Sequence, residues 1–182
     1  MLGGHGYVTD YGLAQEYRDT RITAIYEGTT GIQGLDLLGR KILGSGGKIL
    51  EPLAEEIRTF CTNNAGSAHV DATEASLDEW LKLTGIIGSA ASEDPDEVNA
   101  AGVDYLMFGG YTTLAYCWAK IAKAAQTAID SGSADAGFYE AKLQTARFYF
   151  ERILPRTQTL ATTIQSGANN LMSIDENFFN DN

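Results

Sequence analysis

Histidine, cysteine and proline are scarce: two, two and three among 182 residues. His5 and His69 stand alone, and no Cys or His pair has zinc-ligand spacing, so no metal site is expected. Cys61 and Cys117 lie far apart inside apolar helical patterns and read as two buried, reduced thiols. So little proline beside so much alanine favours helix, and no stretch alternates as a strand would. Positive charge is also short, with 13 basic against 24 acidic residues and a net charge of −11. A nucleic-acid surface needs clustered Lys and Arg, so that function class is set aside. No basic segment followed by an apolar run marks a signal peptide near Met1. The most apolar stretch, Val103 to Ala119, is interrupted by Asp104, Gly109, Gly110, Thr112 and Thr113. It falls short of the ~18 consecutive apolar residues of a membrane span. A cytoplasmic protein without a membrane segment is expected.

What is present is a series of amphipathic stripes with matching start and stop signals. Ile32, Leu35, Leu38, Ile42 and Leu43 share one face of a helix over Thr30 to Leu43, which the glycine cluster at Gly44 to Gly47 stops. That cluster is the expected domain boundary: 1–44, then a bundle over 45–168, then a tail over 169–182. Four helices follow. Ile49, Leu53, Ile57 and Phe60 mark the first; Leu77, Leu81, Thr84 and Ile87, with Trp80, mark the second. Asp94-Pro95-Asp96-Glu97 opens the third, which runs to about Asp130 and is apolar nearly all round between Tyr105 and Ala119. It should be the central, most buried element. Within it, Gly109 and Gly110 either admit a close neighbour or weaken the middle. The fourth helix, Asp135 to Gly167, carries Phe138, Leu143, Phe148 and Ile153, and Pro155 should kink or split it. Tyr105, Phe108, Tyr111, Tyr116, Trp118, Phe148, Tyr149 and Phe150 read as core. The fold class expected is all-α, an up-and-down helical bundle preceded by a shorter helical segment.

The chemistry concentrates before Gly44. Gly3-Gly4-His5-Gly6 makes a turn, which also suits a backbone that approaches a phosphate. Val8 to Arg21 is read as a short helix, broken by the β-branched, glycine-ended connector Ile22 to Gly28. Thr30 and Gln33 have capping-box spacing. Glu27 then sits on a bend just ahead of a helix N-terminus. A solvated carboxylate there stays ionised, and the bend can present it to a cavity.

Three motifs come in order: Gly3-Gly4-His5-Gly6-Tyr7, then Arg18-Asp19-Thr20-Arg21-Ile22, then Ile25-Tyr26-Glu27-Gly28-Thr29. The series resembles the C-terminal part of acyl-CoA dehydrogenases, flavoenzymes that desaturate acyl-CoA thioesters. Further along, Lys142 to Phe150 and Leu154-Pro155 resemble the extra C-terminal domain of the longer bacterial members, among them enzymes assigned to methylthio-propanoyl-CoA. The resemblance implies FAD as cofactor, an acyl-CoA substrate whose anionic carrier needs only a few local cations, electron-transferring flavoprotein as partner, and a homo-oligomer. It implies Glu27 as the base that takes the α-proton, Tyr26 and Gly28 at the substrate, and Gly3, Gly4 and Thr29 at the flavin. For Gln33 a flavin contact and a plain cap stay open. Arg18 and Arg21 either bind phosphate or pair structurally with Asp19 or bundle carboxylates. In the family a glutamine precedes the glycine loop, so the motif looks cut at Met1. The chain alone is expected to be inactive. A non-catalytic helical interaction or oligomerisation module and an acyl-CoA oxidase are the alternatives.

Overall fold

The chain is described by a computed structural model over residues 3–24, 26, 28–171 and 173–179. Every regular element among the described residues is helical, so the fold is all-α as the stripes predict. Two compact units are present, Met1–Thr30 and Gly31–Asn182.

The first unit consists of short pieces. Single 3-10 turns at Gly3–Gly6 and Thr9–Tyr11 precede α1 (Ala14–Thr20), and another, Arg21–Ala24, follows it. Gly12, at φ 72°, interrupts the helix expected over Val8 to Arg21. The Tyr7 and Tyr17 rings meet edge to face with centroids 5.4 Å apart. Asp19 accepts a hydrogen bond from the Gln15 amide at 2.7 Å, and no ion pair joins it to an arginine among the described residues.

The second unit holds the core. Its first helix, α2 (Thr30–Leu35), widens into π-helical turns over Asp36–Ile42. The wider turn breaks the 3.6-residue register. Leu38 and Ile42 are therefore buried while Ile32 and Leu35 are exposed, dividing what the sequence presents as one stripe. Gly46 and Gly47 both take left-handed backbone, with φ 64° and 84°, which ends this helix and turns the chain into α3.

Then come α3 (Glu51–Asn63), α4 (Ala68–Ala90), α5 (Asp96–Asp130), α6 (Ala136–Phe148) and α7 (Arg156–Gln165). The Asp94 carboxylate accepts the Asp96 N–H at 2.9 Å, so the start signal of α5 works as its sequence indicates. Pro155 splits the fourth predicted helix: a π-helical turn, Tyr149–Ile153, lies between α6 and α7. α4 packs on α3 and α7, and α5 touches α4, α6 and α7. One core joins Leu38, Ile57, Leu77, Trp80, Leu83, Tyr105 and Phe108. A smaller one joins Ala115, Tyr149 and Leu154.

Two expectations about burial need correction. Cys61 is buried, but Cys117 is exposed because it lies on the outer face of α5. Phe138 and Phe148 are both 58% exposed; α6 buries Ala146 instead, and the π turn redirects burial to Tyr149. In the tail, Phe178 is exposed.

α5 comes close to its neighbours where it lacks side chains. A Cβ on Gly109 would lie 2.5 Å from Trp80 Cζ2, whereas one on Gly110 would meet nothing within 4 Å. Gly109→Ala is expected to cost about 1–3 kcal/mol in urea unfolding, because the indole cannot retreat from a packed core. Gly110→Ala should instead gain up to about 1 kcal/mol from helix propensity alone. Equal effects at the two positions would contradict the packing described.

Asp36 supplies a pH probe of the π-helical turn. Hydrogen bonds from Arg40 and from Lys41, the latter at 2.9 Å, hold its carboxyl down at about 2, from an ordinary 3.8. A depressed folded-state pKa adds stability above the unfolded value, and that stability is lost as pH falls through the folded one. The melting-temperature gap between the native chain and Asp36→Asn should therefore shrink between about pH 4 and pH 2. A gap constant across that window would exclude the contribution.

Candidate active-site segment

The residues that carry the chemical motifs are Gly3, Gly4, Tyr26, Glu27, Gly28, Thr29 and Gln33. Glu27 lies outside the described residues, as does Ile25 beside it. Gly3 and Gly4 belong to the first 3-10 turn, closed by the Tyr7 N–H donating to the Gly4 carbonyl at 3.2 Å. A Cβ on Gly4 would meet nothing within 4 Å, so its backbone is open to an approaching group. Tyr26 is 57% exposed, and its N–H donates to the Ile22 carbonyl at 2.9 Å, which ties the segment to the preceding turn. Gly28 is likewise open, with nothing within 4 Å of a Cβ placed there.

Thr29 is the feature the sequence conceals. Its φ is +53°, in the left-handed region that a β-branched residue rarely enters. The Thr29 hydroxyl donates to the Gly28 carbonyl at 2.7 Å. Holding a threonine in this conformation costs on the order of 1–3 kcal/mol, a kind of strain that clusters at functional sites. The signal available in sequence was the Gly28-Thr29-Thr30 run itself, which marks a turn but not which residue bears the strain.

Helix α2 begins at Thr30 itself, one residue earlier than a capping box with Thr30 as N-cap would place it. Gln33 stands exposed in the first turns of α2 and belongs to the second unit, whereas the other candidates belong to the first. Ala14 alone is buried among the described residues of the first unit. Among the described residues the segment offers open backbone and a strained turn.

Away from this segment, titratable groups are tied into the bundle. Burial pushes the Tyr105 phenol up to about 12, and its hydroxyl lies 2.6 Å from the Thr84 hydroxyl. The His69 ring stacks on Phe150 at 4.4 Å, and desolvation lowers its pKa. A groove of about 530 Å³ runs between α4 and α7 and is mainly apolar, with Glu79 and Gln158 among its lining residues. No described helix is long and apolar enough to cross a membrane.

Known proteins share both parts of the chain. The family model described as "Acyl-CoA dehydrogenase, C-terminal domain" matches residues 1–43, and "Acetyl-CoA dehydrogenase C-terminal like" matches 53–175. A broad-specificity linear acyl-CoA dehydrogenase of Mycobacterium tuberculosis is 31% identical over 191 aligned residues, covering 98% of this chain and 31% of that protein. The 3-methylmercaptopropionyl-CoA dehydrogenase of Ruegeria pomeroyi is 35% identical over 164, covering 84% of this chain and 26% of its own length. The human mitochondrial short-chain specific acyl-CoA dehydrogenase is 56% identical over 39 residues, 21% of this chain and 10% of the relative. The chain thus spans a third or less of these relatives. With one family model covering well over half of its residues, the chain belongs to the acyl-CoA dehydrogenases, among those that carry the additional C-terminal helical domain.

Proposed function

We propose that the chain supplies the C-terminal part of an FAD-dependent acyl-CoA dehydrogenase, residues 1–44 ending the catalytic helical domain and 45–168 forming the appended bundle. The observation that carries this reading is the strained Thr29 after an open Gly28, at the place where the family resemblance puts the catalytic carboxylate. Bound FAD would supply the acceptor for the hydride that leaves the substrate β-carbon. The chain's own share is proton transfer and positioning. Glu27 removes the α-proton beside the thioester, and a dry, substrate-filled pocket would raise its pKa and strengthen it as a base. The Glu27 backbone N–H donates to the thioester oxygen as negative charge develops there. Tyr26 lines the acyl pocket and Gly28 leaves room beside the substrate. Gly3, Gly4 and Thr29 face the cofactor, with Gln33 as a further contact. Open backbone at Gly4 fits a diphosphate, but residues exposed this fully cannot enclose a flavin. The remaining walls would come from other parts of a longer protein, with electron-transferring flavoprotein as acceptor.

Two outcomes test the reading. The 182-residue chain should purify colourless, because too little surface faces the flavin to retain it; yellow protein with near one flavin per chain would contradict this. In the longer protein, Glu27→Gln keeps the shape and removes the base. Flavin and acyl-CoA should still bind, while anaerobic bleaching of the flavin slows by about 10⁴-fold, the upper end of what a positioned base contributes. Bleaching at the native rate would place the base elsewhere.

A further inference from the structure

Helix α2 belongs to one part of the chain by family and to another by packing. The match to the acyl-CoA dehydrogenase C-terminal domain covers residues 1–43, which takes in α2 and the π-helical turns after it. The compact unit that holds the core nevertheless begins at Gly31, and Leu38 and Ile42 are buried in that core. The seat of α2 is on α5, inside the stretch that the second family model covers.

The seat is a contact between backbones. Gly34 is buried, and a Cβ placed there would lie 2.5 Å from the Gly102 carbonyl oxygen and 3.0 Å from the Val103 nitrogen. A Val98 methyl group on the same helix lies 3.2 Å from the place of a Gly39 Cβ. On α4, Gly88 leaves room for Leu43, whose Cδ2 would meet a Cβ at 3.2 Å. Glycine permits this approach, and a close-packed contact leaves no slack in it. A methyl group on Gly34 would need about 1 Å more room to reach an ordinary separation of 3.4 Å. α5 cannot supply it, because α4, α6 and α7 all pack on it. The short α2 gives instead: Ile32 and Leu35 are exposed, while Leu38 and Ile42 hold the turns beyond it. The residues that would move are the candidate flavin contact Gln33 and the helix start directly after Thr29.

We infer that Gly34, through its contact with Gly102, is a positioning residue for the flavin. The appended bundle sets where α2 stands, and neither glycine touches the cofactor itself. The inference rests on the dehydrogenase reading. A displacement of about 1 Å far from the chemistry can cost about 10²-fold in rate. The test uses the longer protein and compares Gly34→Ala with Gly109→Ala. Both place a methyl group 2.5 Å from a neighbour inside the bundle, so both should lower its melting temperature. Gly34→Ala alone displaces α2. At saturating acyl-CoA, and per bound flavin, anaerobic bleaching by Gly34→Ala should slow by about 10²-fold, with altered visible circular dichroism of the flavin. Gly109→Ala should bleach at the native rate with the native flavin spectrum. Val98→Ala loosens the same seat without a clash and serves where Gly34→Ala does not fold; a slowing of about tenfold is expected. A native rate and native flavin spectrum in Gly34→Ala, or in Val98→Ala where Gly34→Ala is unfolded, overturn the inference. So does equal slowing by Gly109→Ala, which would reduce the effect to bundle stability. If acyl-CoA bleaches no flavin in the native protein, the dehydrogenase reading fails and the inference with it. A native protein that bleaches beside unaffected variants refutes the inference alone.

Discussion

The bundle depends on how closely its longest helix can be approached. At Gly109 the Trp80 indole of α4 occupies the space a side chain would take. At Gly102 the approach is between backbones: a Cβ on Gly34 would lie 2.5 Å from the Gly102 carbonyl oxygen. These absences let α4 and α2 close on α5 together, which makes α5 the axis of the core. Hydroxyl groups trapped by this closeness pair across the same contacts, whereas the buried Trp80 Nε1 has no hydrogen-bond partner among the described residues. Ser76 and Thr112 share a buried hydroxyl pair at 2.8 Å. Thr84 donates to the Trp80 carbonyl and so accepts from Tyr105. Such pairs cost little once formed but are expensive to break, which fixes the register of α4 against α5.

The start of α5 is tied by a long-range cap. The Glu97 carboxylate, near the start of α5, accepts the Ala168 N–H just past α7 at 3.1 Å, where Gly167 turns with φ 71°. On the other side, the Tyr149 hydroxyl donates to the Tyr111 carbonyl at 2.7 Å, and burial pushes that phenol's pKa well up. The π-helical turn before Pro155 thus places an aromatic anchor that an uninterrupted helix would have put elsewhere.

The two units divide the work physically. The second buries a continuous core, whereas the first buries only Ala14 among its described residues. Strain at Thr29 sits at the end of the unit with little core of its own. A strained turn persists only where surroundings over-determine it, and the exposed Tyr26 and the open Gly28 leave room for such surroundings.

Local chemistry determined much of this from sequence alone. Asp94 and Pro95 start α5, Gly46 and Gly47 turn the chain after Ile42, and Pro155 splits a helix, because each acts on its own backbone within a few residues. The helical class followed from apolar spacing, and the ordered motifs from Gly3 to Thr29 pointed to the family and its candidate residues. What tertiary structure decided is which apolar residues face inward. Phe148 and Phe138 look like core yet lie outside, Cys117 is exposed, and Ile32 and Leu35 part from Leu38 and Ile42, because burial depends on neighbours distant in sequence and on a π turn that shifts phase. At the candidate site a Gly-Thr-Thr run announces a bend, but residue types alone do not say which residue takes left-handed backbone, and in the structure Thr29 does.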